Sequence, residues 1–356
     1  MEKKRIAMIG NGWRADFFLR IAAALPDQFE VIGGYTRDEK KAQELTQRCH
    51  ITYGTDLDAL LDQKPDFVVL SVKRGITSGY LSKLLERKIP ILCETPPAET
   101  VEDLVQLYQQ IQTSGVPVQF VEQYPFQPLY VAYQRVIDRG LLGEVQSIYL
   151  SALHGYHAAS IIRRFLGNPA GPVRIQGQMF EERAVVTRDR YDDILTGEVQ
   201  TYQREHALLT FANGQHACND FSLLQYSSYI RCRTMVVRGT HGEIEGLNVR
   251  YLNRDHQPIW QQLQRMEHGR YDNKHYALKS LMLGETELYR NPFPYMRWND
   301  DEIATAMCMV KMGELLEGGP EFYPAQEACQ DAYLSIMMIQ AAQSGRTVIT
   351  EKQIWE

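Results

Sequence analysis

What the sequence lacks narrows the reading first. The six cysteines (Cys49, Cys93, Cys218, Cys232, Cys308 and Cys329) are scattered, and no two stand at C-x-x-C spacing. A disulfide framework or zinc knuckle has no support, no metal site is expected, and buried free thiols are. No run of ~18 apolar residues occurs, so no membrane span or membrane partner is expected. The opening MEKKRIAMIGNG carries two lysines, but its apolar stretch stops at Ile9, too short for a secretory core. A cytoplasmic location follows as the expectation. A basic excess is missing too: 38 Lys plus Arg face 44 Asp plus Glu, a formal net charge of -6. That balance gives no nucleic-acid footprint. With 44% apolar and 23% charged residues and no low-complexity tract, the composition is that of a globular chain.

At 356 residues the chain exceeds the ~250 to 300 at which a single core stops growing, so two domains are expected. The first spans 1–125, where short apolar runs alternate with helical patterns. Strands are expected at 5–9, 29–34, 67–71, 90–93 and 117–121, and helices at 13–25, 38–47, 77–86 and 99–113, with a short turn at 56–62. Strands that are apolar throughout, rather than alternating, mark a parallel sheet covered on both faces.

Gly10, Gly12 and Ala15 lie in G-N-G-W-R-A, directly after the first strand and opening the first helix. One glycine permits the turn, the second lets backbone approach a pyrophosphate, and the small third residue lets helix lie close on strand. The alternative is a pair of turn glycines in a domain that binds nothing. Trp13 and Arg14 sit in the same turn, and Ser71, Lys73 and Arg74 end a later strand on the same side. At the end of the second strand, Tyr35, Thr36 and Arg37 precede Asp38. A hydroxyl followed by a guanidinium suits a ribose 2′-phosphate, which favours NADP over NAD; otherwise Arg37 is a solvated residue beside a helix cap at Asp38.

The second domain is placed at 126–356, with its last segment packing back on the first. A helix is expected at 129–139, a strand at 144–152 and a short helix at 157–166. β-like runs follow at 173–180, 196–203, 206–212, 215–223, 230–238 and 243–252, with Asn213-Gly214 as a hairpin turn. Alternation in these runs suggests an antiparallel or mixed sheet with one covered face. The charged stretch 181–193 reads as a solvated loop, and helices are expected at 273–283, 299–316 and 324–343 before a terminal strand at Val348. A ligand cleft between the two domains is the expectation.

Cys93-Glu94-Thr95-Pro96, Gly155-Tyr156-His157 and the helix ending Phe165-Leu166-Gly167 add further motifs. So do Leu209-Thr210-Phe211-Ala212-Asn213-Gly214, Val237-Arg238-Gly239-Thr240-His241-Gly242 and the close at 341–348. In this order, and with G-N-G-W-R-A, they resemble the Gfo/Idh/MocA family of NAD(P)-dependent oxidoreductases. The resemblance implies an N-terminal Rossmann domain with a doubly wound parallel sheet, a C-terminal α/β domain built on a large, mostly antiparallel sheet, and homodimers or homotetramers. It also implies hydride transfer between nicotinamide and a hydroxyl-bearing carbon of a sugar or polyol. Glu94, Thr95, Pro96 and Gln123 would face the cofactor, NADP or NAD.

The family pattern has a lysine in Glu-Lys-Pro and a histidine in Asp-x-Gly-x-His-x-x-Asp. Here the lysine position is Thr95, and the two acidic positions are Leu153 and Ser160, whereas Gly155 and His157 match. His157 is the candidate acid–base group, Tyr156 a donor to a substrate oxygen, and Lys73 a relocated cation. His154 reads as packing or cleft lining. Asp192, Asp193, Glu198 and the set Tyr271-Asp272-Asn273-Lys274-His275 offer further polar groups. The alternative function is a degenerate member that binds NAD(P) as a sensor.

Overall fold

The computed structural model describes residues 2–189, 191–270 and 273–356, the side chains of 270, 273 and 274 excepted. The first elements are β1 (Lys4–Ile9), α1 (Trp13–Ala24), β2 (Phe29–Tyr35), α2 (Glu39–Cys49), β3 (Tyr53–Gly54) and α3 (Leu57–Leu61). β4 (Phe67–Leu70), α4 (Thr77–Glu86), β5 (Ile91–Cys93), α5 (Val101–Ser114) and β6 (Val118–Phe120) complete the alternation. Next come α6 (Pro128–Asp138), β7 (Val145–Ser151), α7 (Gly155–Phe165), β8 (Val173–Val185), β9 (Val199–Phe211) and β10 (His216–Ser222). β11 (Thr234–Gly239), β12 (Gly242–Glu245), β13 (Asn248–Leu252), β14 (Pro258–Arg270), β15 (Asn273–Leu283) and β16 (Thr286–Arg290) follow. The chain closes with α8 (Asp300–Leu316), α9 (Ala325–Ser344) and β17 (Val348–Ile349).

Two compact units result. One comprises Met1–Gln127, Trp298–Ala332 and Ile354–Glu356, the other Pro128–Arg297 and Tyr333–Gln353. The first holds a parallel sheet in the order β3-β2-β1-β4-β5-β6. Ala7, Ile9, Val68, Leu70, Ile91 and Val118 are buried against Leu81 and Leu84 of α4 and Leu107 and Ile111 of α5. Covering both faces of the strands with apolar side chains is what makes β1, β4 and β5 read as unbroken apolar runs. Local chemistry sets the helix starts: Asp38, Asp56 and Thr100 each accept a hydrogen bond from an amide of the first turn of α2, α3 and α5.

The second unit is an 11-stranded sheet in the order β16-β15-β14-β13-β12-β11-β7-β10-β9-β8-β17. Among the described strands only β7 and β10 pair in parallel; their neighbours run antiparallel. Ala207, Leu209 and Phe211 alternate with exposed residues along β9, as a sheet with one covered face requires. α9 lies close enough that a Cβ on Gly177 of β8 would stand 2.7 Å from the Ala342 amide nitrogen. The Asn213-Gly214 turn joins β9 to β10 as expected.

Several expectations need correction. The helix anticipated at 273–283 is strand β15, paired with β14 and β16. Ala277, Leu278 and Leu281 have helical spacing, but register shifts on both sides of the strand turn them inward without a helix. β8 extends through Val185 into the stretch read as a loop, because it pairs residue for residue with β9 as far as Val199. The two runs at 196–203 and 206–212 are the single strand β9, and 243–252 is the hairpin β12–β13. β14, whose polar sequence offered no alternation, was not anticipated. Tyr271 and Asp272 lie outside the described residues. Among those described, no helix is long and apolar enough to cross a membrane.

Candidate active site

In the first unit the strand order reverses beside β1, with β2 on one side and β4 on the other. The Ser71 amide donates to the Ile9 carbonyl at 2.8 Å, drawing the ends of β4 and β1 together. Gly10 sits in that junction with φ +132°, and a Cβ there would come within 1.9 Å of the Ser71 carbonyl oxygen. Only glycine fits. Gly12, by contrast, caps α1 with no side-chain hydrogen bond, and a Cβ on it would meet nothing within 4 Å. The start of α1 therefore faces open space, with the amide dipoles of a helix N-terminus aimed into it, and Ala15 is buried underneath. These residues fit a dinucleotide pyrophosphate.

At the tip of β2, Thr36 is buried, and its hydroxyl accepts from Asn11 Nδ2 at 2.9 Å. Asp38 accepts from the Lys41 amide at 3.1 Å, so the nearest carboxylate is engaged as the cap of α2. Arg37 is exposed between them, and Tyr35 and Tyr80 stack edge to face at 5.9 Å nearby. Lys73 and Arg74 follow β4 as exposed residues, the Lys73 carbonyl accepting from the Ile76 amide at 3.4 Å.

Arg14 does not turn outward toward that space. Its Nε lies 2.6 Å from Glu94 Oε1, its Nη1 2.7 Å from Asp301 Oδ2, and its Nη2 donates to Thr305 Oγ1 at 3.1 Å. Glu94 in turn accepts from the Thr95 amide at 3.1 Å, and Gln123 Nε2 donates to Asp301 Oδ1 at 3.1 Å. Glu122, fully buried, accepts from the Tyr124 amide at 3.4 Å. Burial drives the Glu122 carboxyl well above the usual carboxylate range. Burial also raises Glu94, although Arg14 opposes the shift. For Arg14, burial disfavours the cation, but Glu94 and Asp301 outweigh it and hold the guanidinium charged. Gln123 Oε1 is buried without a partner, an acceptor left over at the edge of this cluster. Sequence reading pointed to Arg14, Glu94 and Gln123 but missed Asp301, Thr305 and Glu122. The capping box of Asn299 and Glu302 was a legible signal for the start of α8, yet nothing local links Asp301 to Arg14 across 287 residues.

In the second unit, α7 begins where β7 ends. His154 precedes the helix, its amide and its Nδ1 lying 3.2 and 2.7 Å from the Tyr226 hydroxyl. Because the amide donates to the phenol oxygen, both groups are satisfied when the phenol proton points to Nδ1. His157 is 6% exposed, its amide donates to the His154 carbonyl at 3.1 Å, and its ring stands 4.3 Å from Tyr156 and 4.9 Å from His154. Phe221 at the end of β10 lies 4.9 Å from Tyr226, and the Arg233 guanidinium lies over the Tyr226 ring at 5.2 Å. Leu153 and Ser160, the positions where the family pattern is acidic, are both buried. Asp193 accepts from the Tyr229 hydroxyl at 2.8 Å and Glu198 from Gln200 at 2.7 Å, both in the exposed stretch between β8 and β9. His275 pairs with Glu267 on β14 at 2.7 Å.

The six-stranded parallel sheet, its reversal beside β1 and the glycine turn define a Rossmann-type dinucleotide-binding fold. Residues 4–121 match the model of the Gfo/Idh/MocA family, described as an oxidoreductase family with an NAD-binding Rossmann fold. A D-xylose dehydrogenase of Paenarthrobacter nicotinovorans is 28% identical over 114 residues, 32% of this chain and 29% of that protein. An uncharacterized oxidoreductase of Schizosaccharomyces pombe is 26% identical over 145 residues, 40% of this chain and 39% of its own length. The matched segment thus spans well under half of either relative. At full length the fold is similar to an oxidoreductase from Agrobacterium radiobacter in complex with NAD+, L-tartaric acid and magnesium. That pair has a TM-score of 0.69 at 17% identity, covering 97% of this chain and 98% of the other. The WlbA dehydrogenase from Bordetella pertussis, in complex with NADH and UDP-GlcNAcA, gives 0.66 at 13% identity, covering 99% and 100%. At such identities the likeness is one of fold.

Proposed function

We propose that the chain is an NAD(P)-dependent oxidoreductase acting at a hydroxyl-bearing carbon of a sugar, polyol or related compound. The observation that carries this reading is the junction of β1, β4 and α1. Gly10 is required there by backbone contact, and Gly12 leaves the start of α1 open to a pyrophosphate. The family match over the same residues and the sugar dehydrogenase among the relatives support the chemistry. When bound, nicotinamide supplies or accepts the hydride. The residues supply the rest. Thr36 and Arg37 hold the adenosine end, with Arg37 favouring the 2′-phosphate of NADP. Thr95 contributes a neutral hydrogen bond where the family has a charge. His157 moves the hydroxyl proton, with Tyr156 donating to a substrate oxygen and Lys73 as the remaining candidate cation.

The buried, non-acidic Leu153 and Ser160 support a second reading, a member that retains the dinucleotide site as a sensor. One experiment separates them. The purified chain is incubated with NAD+ or NADP+ and a panel including D-xylose and myo-inositol, and reduced nicotinamide is followed at its absorbance band. The oxidoreductase reading expects turnover, with His157→Asn lowering kcat by ~100-fold or more while cofactor affinity holds. Cofactor binding without turnover supports the sensor; binding of neither dinucleotide ends both readings.

A further inference from the structure

Glu205 lies midway along β9, near the end of its pairing with β10, directly across from Phe221 of β10 and Met179 of β8. Alternation puts it on the same face as Ala207 and Leu209, the face covered by helices. Its sequence neighbours face the other way: Arg204 and His206 both contact Asp220, at 2.6 and 2.8 Å, and Arg204 also reaches Glu182. Because β10 runs parallel to β7, this is the end of the sheet from which α7 departs. Phe221, beside Glu205, has its ring 4.9 Å from Tyr226 and 6.2 Å from His154. A carboxyl on β9 therefore shares a sheet end with the two histidines that open α7. No sequence motif connects them.

Glu205 is also unusual for its solvation. Its Oε1 is buried without a hydrogen-bond partner, although the residue as a whole is half-exposed. Burial alone lifts the carboxyl to about 7, and among the described residues Glu205 forms no ion pair. The titratable groups at this end are His154, Tyr156 and His157 from α7, Tyr226 after β10 and Arg233 before β11. The part of α9 within this unit, residues 333–344, contains Tyr333 but no Asp, Glu, Lys, Arg or His. A carboxyl with an unused acceptor, reachable from solvent and free of an ion pair, is poor structure and good equipment for a hydroxyl ligand.

We infer that Glu205 is a substrate-contacting acid–base residue of the second unit, standing in for the carboxylates that the α7 motif lacks at Leu153 and Ser160. The inference rests on the oxidoreductase reading above. In alcohol oxidation the O–H bond breaks with its proton passing to the Glu205 carboxylate. The electron pair left on oxygen becomes the second bond of the carbonyl. The hydride leaving carbon goes to the oxidised nicotinamide of the proposed function. In reduction Glu205 returns the proton to the nascent alkoxide. His157, which moves the proton in the proposed function, then carries it onward from Glu205, and His154 and Tyr226 bind the polyol rather than take its proton.

The test compares wild type with Glu205→Gln in the same D-xylose and myo-inositol assay across pH 5 to 9, a range bracketing the ~7 at which an acid–base group works best. Expected are a fall in kcat of ~100-fold or more, an unchanged Kd for reduced cofactor, and loss of the limb of the kcat/KM profile that titrates near ~7. Retention of kcat and of that limb overturns the inference. A second arm needs no turnover: in the intact wild-type chain, the side-chain carboxyl of Glu205 is followed by 13C NMR, assigned by its disappearance in the variant. A midpoint near ~7, moved by adding myo-inositol, supports the role; a midpoint in the ordinary carboxylate range or no response to the polyol overturns it. If wild type turns over no panel compound, the oxidoreductase reading fails and the acid–base role falls with it, whereas turnover retained in the variant overturns the role of Glu205 alone.

Discussion

Replacing Arg14 with methionine keeps the aliphatic bulk and removes the cation that pairs with Glu94 and Asp301. Two partners are stranded. The Glu94 side chain is 15% exposed and Asp301 28%, and each loses an ion pair shorter than 2.8 Å. Removing one member of a buried pair costs ~3 to 5 kcal/mol, because the remaining charge keeps its desolvation penalty. Asp301 retains partial solvation and its bond from Gln123, which argues for the lower end, ~3 kcal/mol at pH 8. The penalty depends on pH in a defined sense. Below ~4.5 Glu94 is protonated whether folded or unfolded, so loss of the cation matters little. Burial raises Glu94 in wild type as well, so the gap opens only above that raised value, where wild type holds the ion pair while the folded variant must bury the charge or keep the proton; there it widens by up to ~1.4 kcal/mol per pH unit. Urea unfolding of both proteins at pH 5 and pH 8, followed by circular dichroism, measures it. Adding Glu94→Gln to the variant should recover most of the loss. A gap below ~1 kcal/mol at pH 8, or one equal at both pH values, would refute the assignment of Arg14 as the neutralising centre.

Glu122→Gln should behave in the opposite way. The folded carboxyl is raised, so wild type is progressively destabilised as pH rises above the ~4.5 at which the unfolded carboxyl ionises, whereas glutamine does not titrate. The variant should therefore gain on wild type between pH 5 and 8 in urea midpoints, and parallel curves would count against a protonated Glu122. Arg37→Ala should weaken NADPH binding by ~10-fold or more, the worth of a charge-assisted contact to phosphate, and leave NADH binding within a few-fold. Fluorescence titration of both dinucleotides reads the difference, and equal losses would remove Arg37 from cofactor choice.

The legibility of this chain varied with the range over which its contacts act. Asp38 could be read as a cap because the amide it receives is three residues away. Gly10 and Gly12 could be read because their turn is short and bounded by an apolar strand and an amphipathic helix. β15 could not: its inward residues imitate helical spacing, and only pairing with β14 and β16, through two shifts of register, makes them a strand. Arg14 was grouped with the cofactor-binding residues from its place in the glycine turn, and its ion pair with Asp301 was not legible there. Nothing near residue 14 could announce that. Glu205 was passed over because its meaning depends on Phe221 and His154.

By itself the sequence determined the parallel sheet of the first unit, its glycine turn and the class of cofactor that turn accommodates. Those features come from strand-by-strand burial and from steric limits acting within a few residues. Tertiary structure alone decided that Trp298–Ala332 belongs with the first unit and Tyr333–Gln353 with the second. It alone decided which carboxyls surround Arg14 and that a glutamate on β9 shares a sheet end with the histidines of α7. The reason is physical: electrostatic environment depends on distance through space and on excluded water, and neither is encoded in the spacing of residues along a chain.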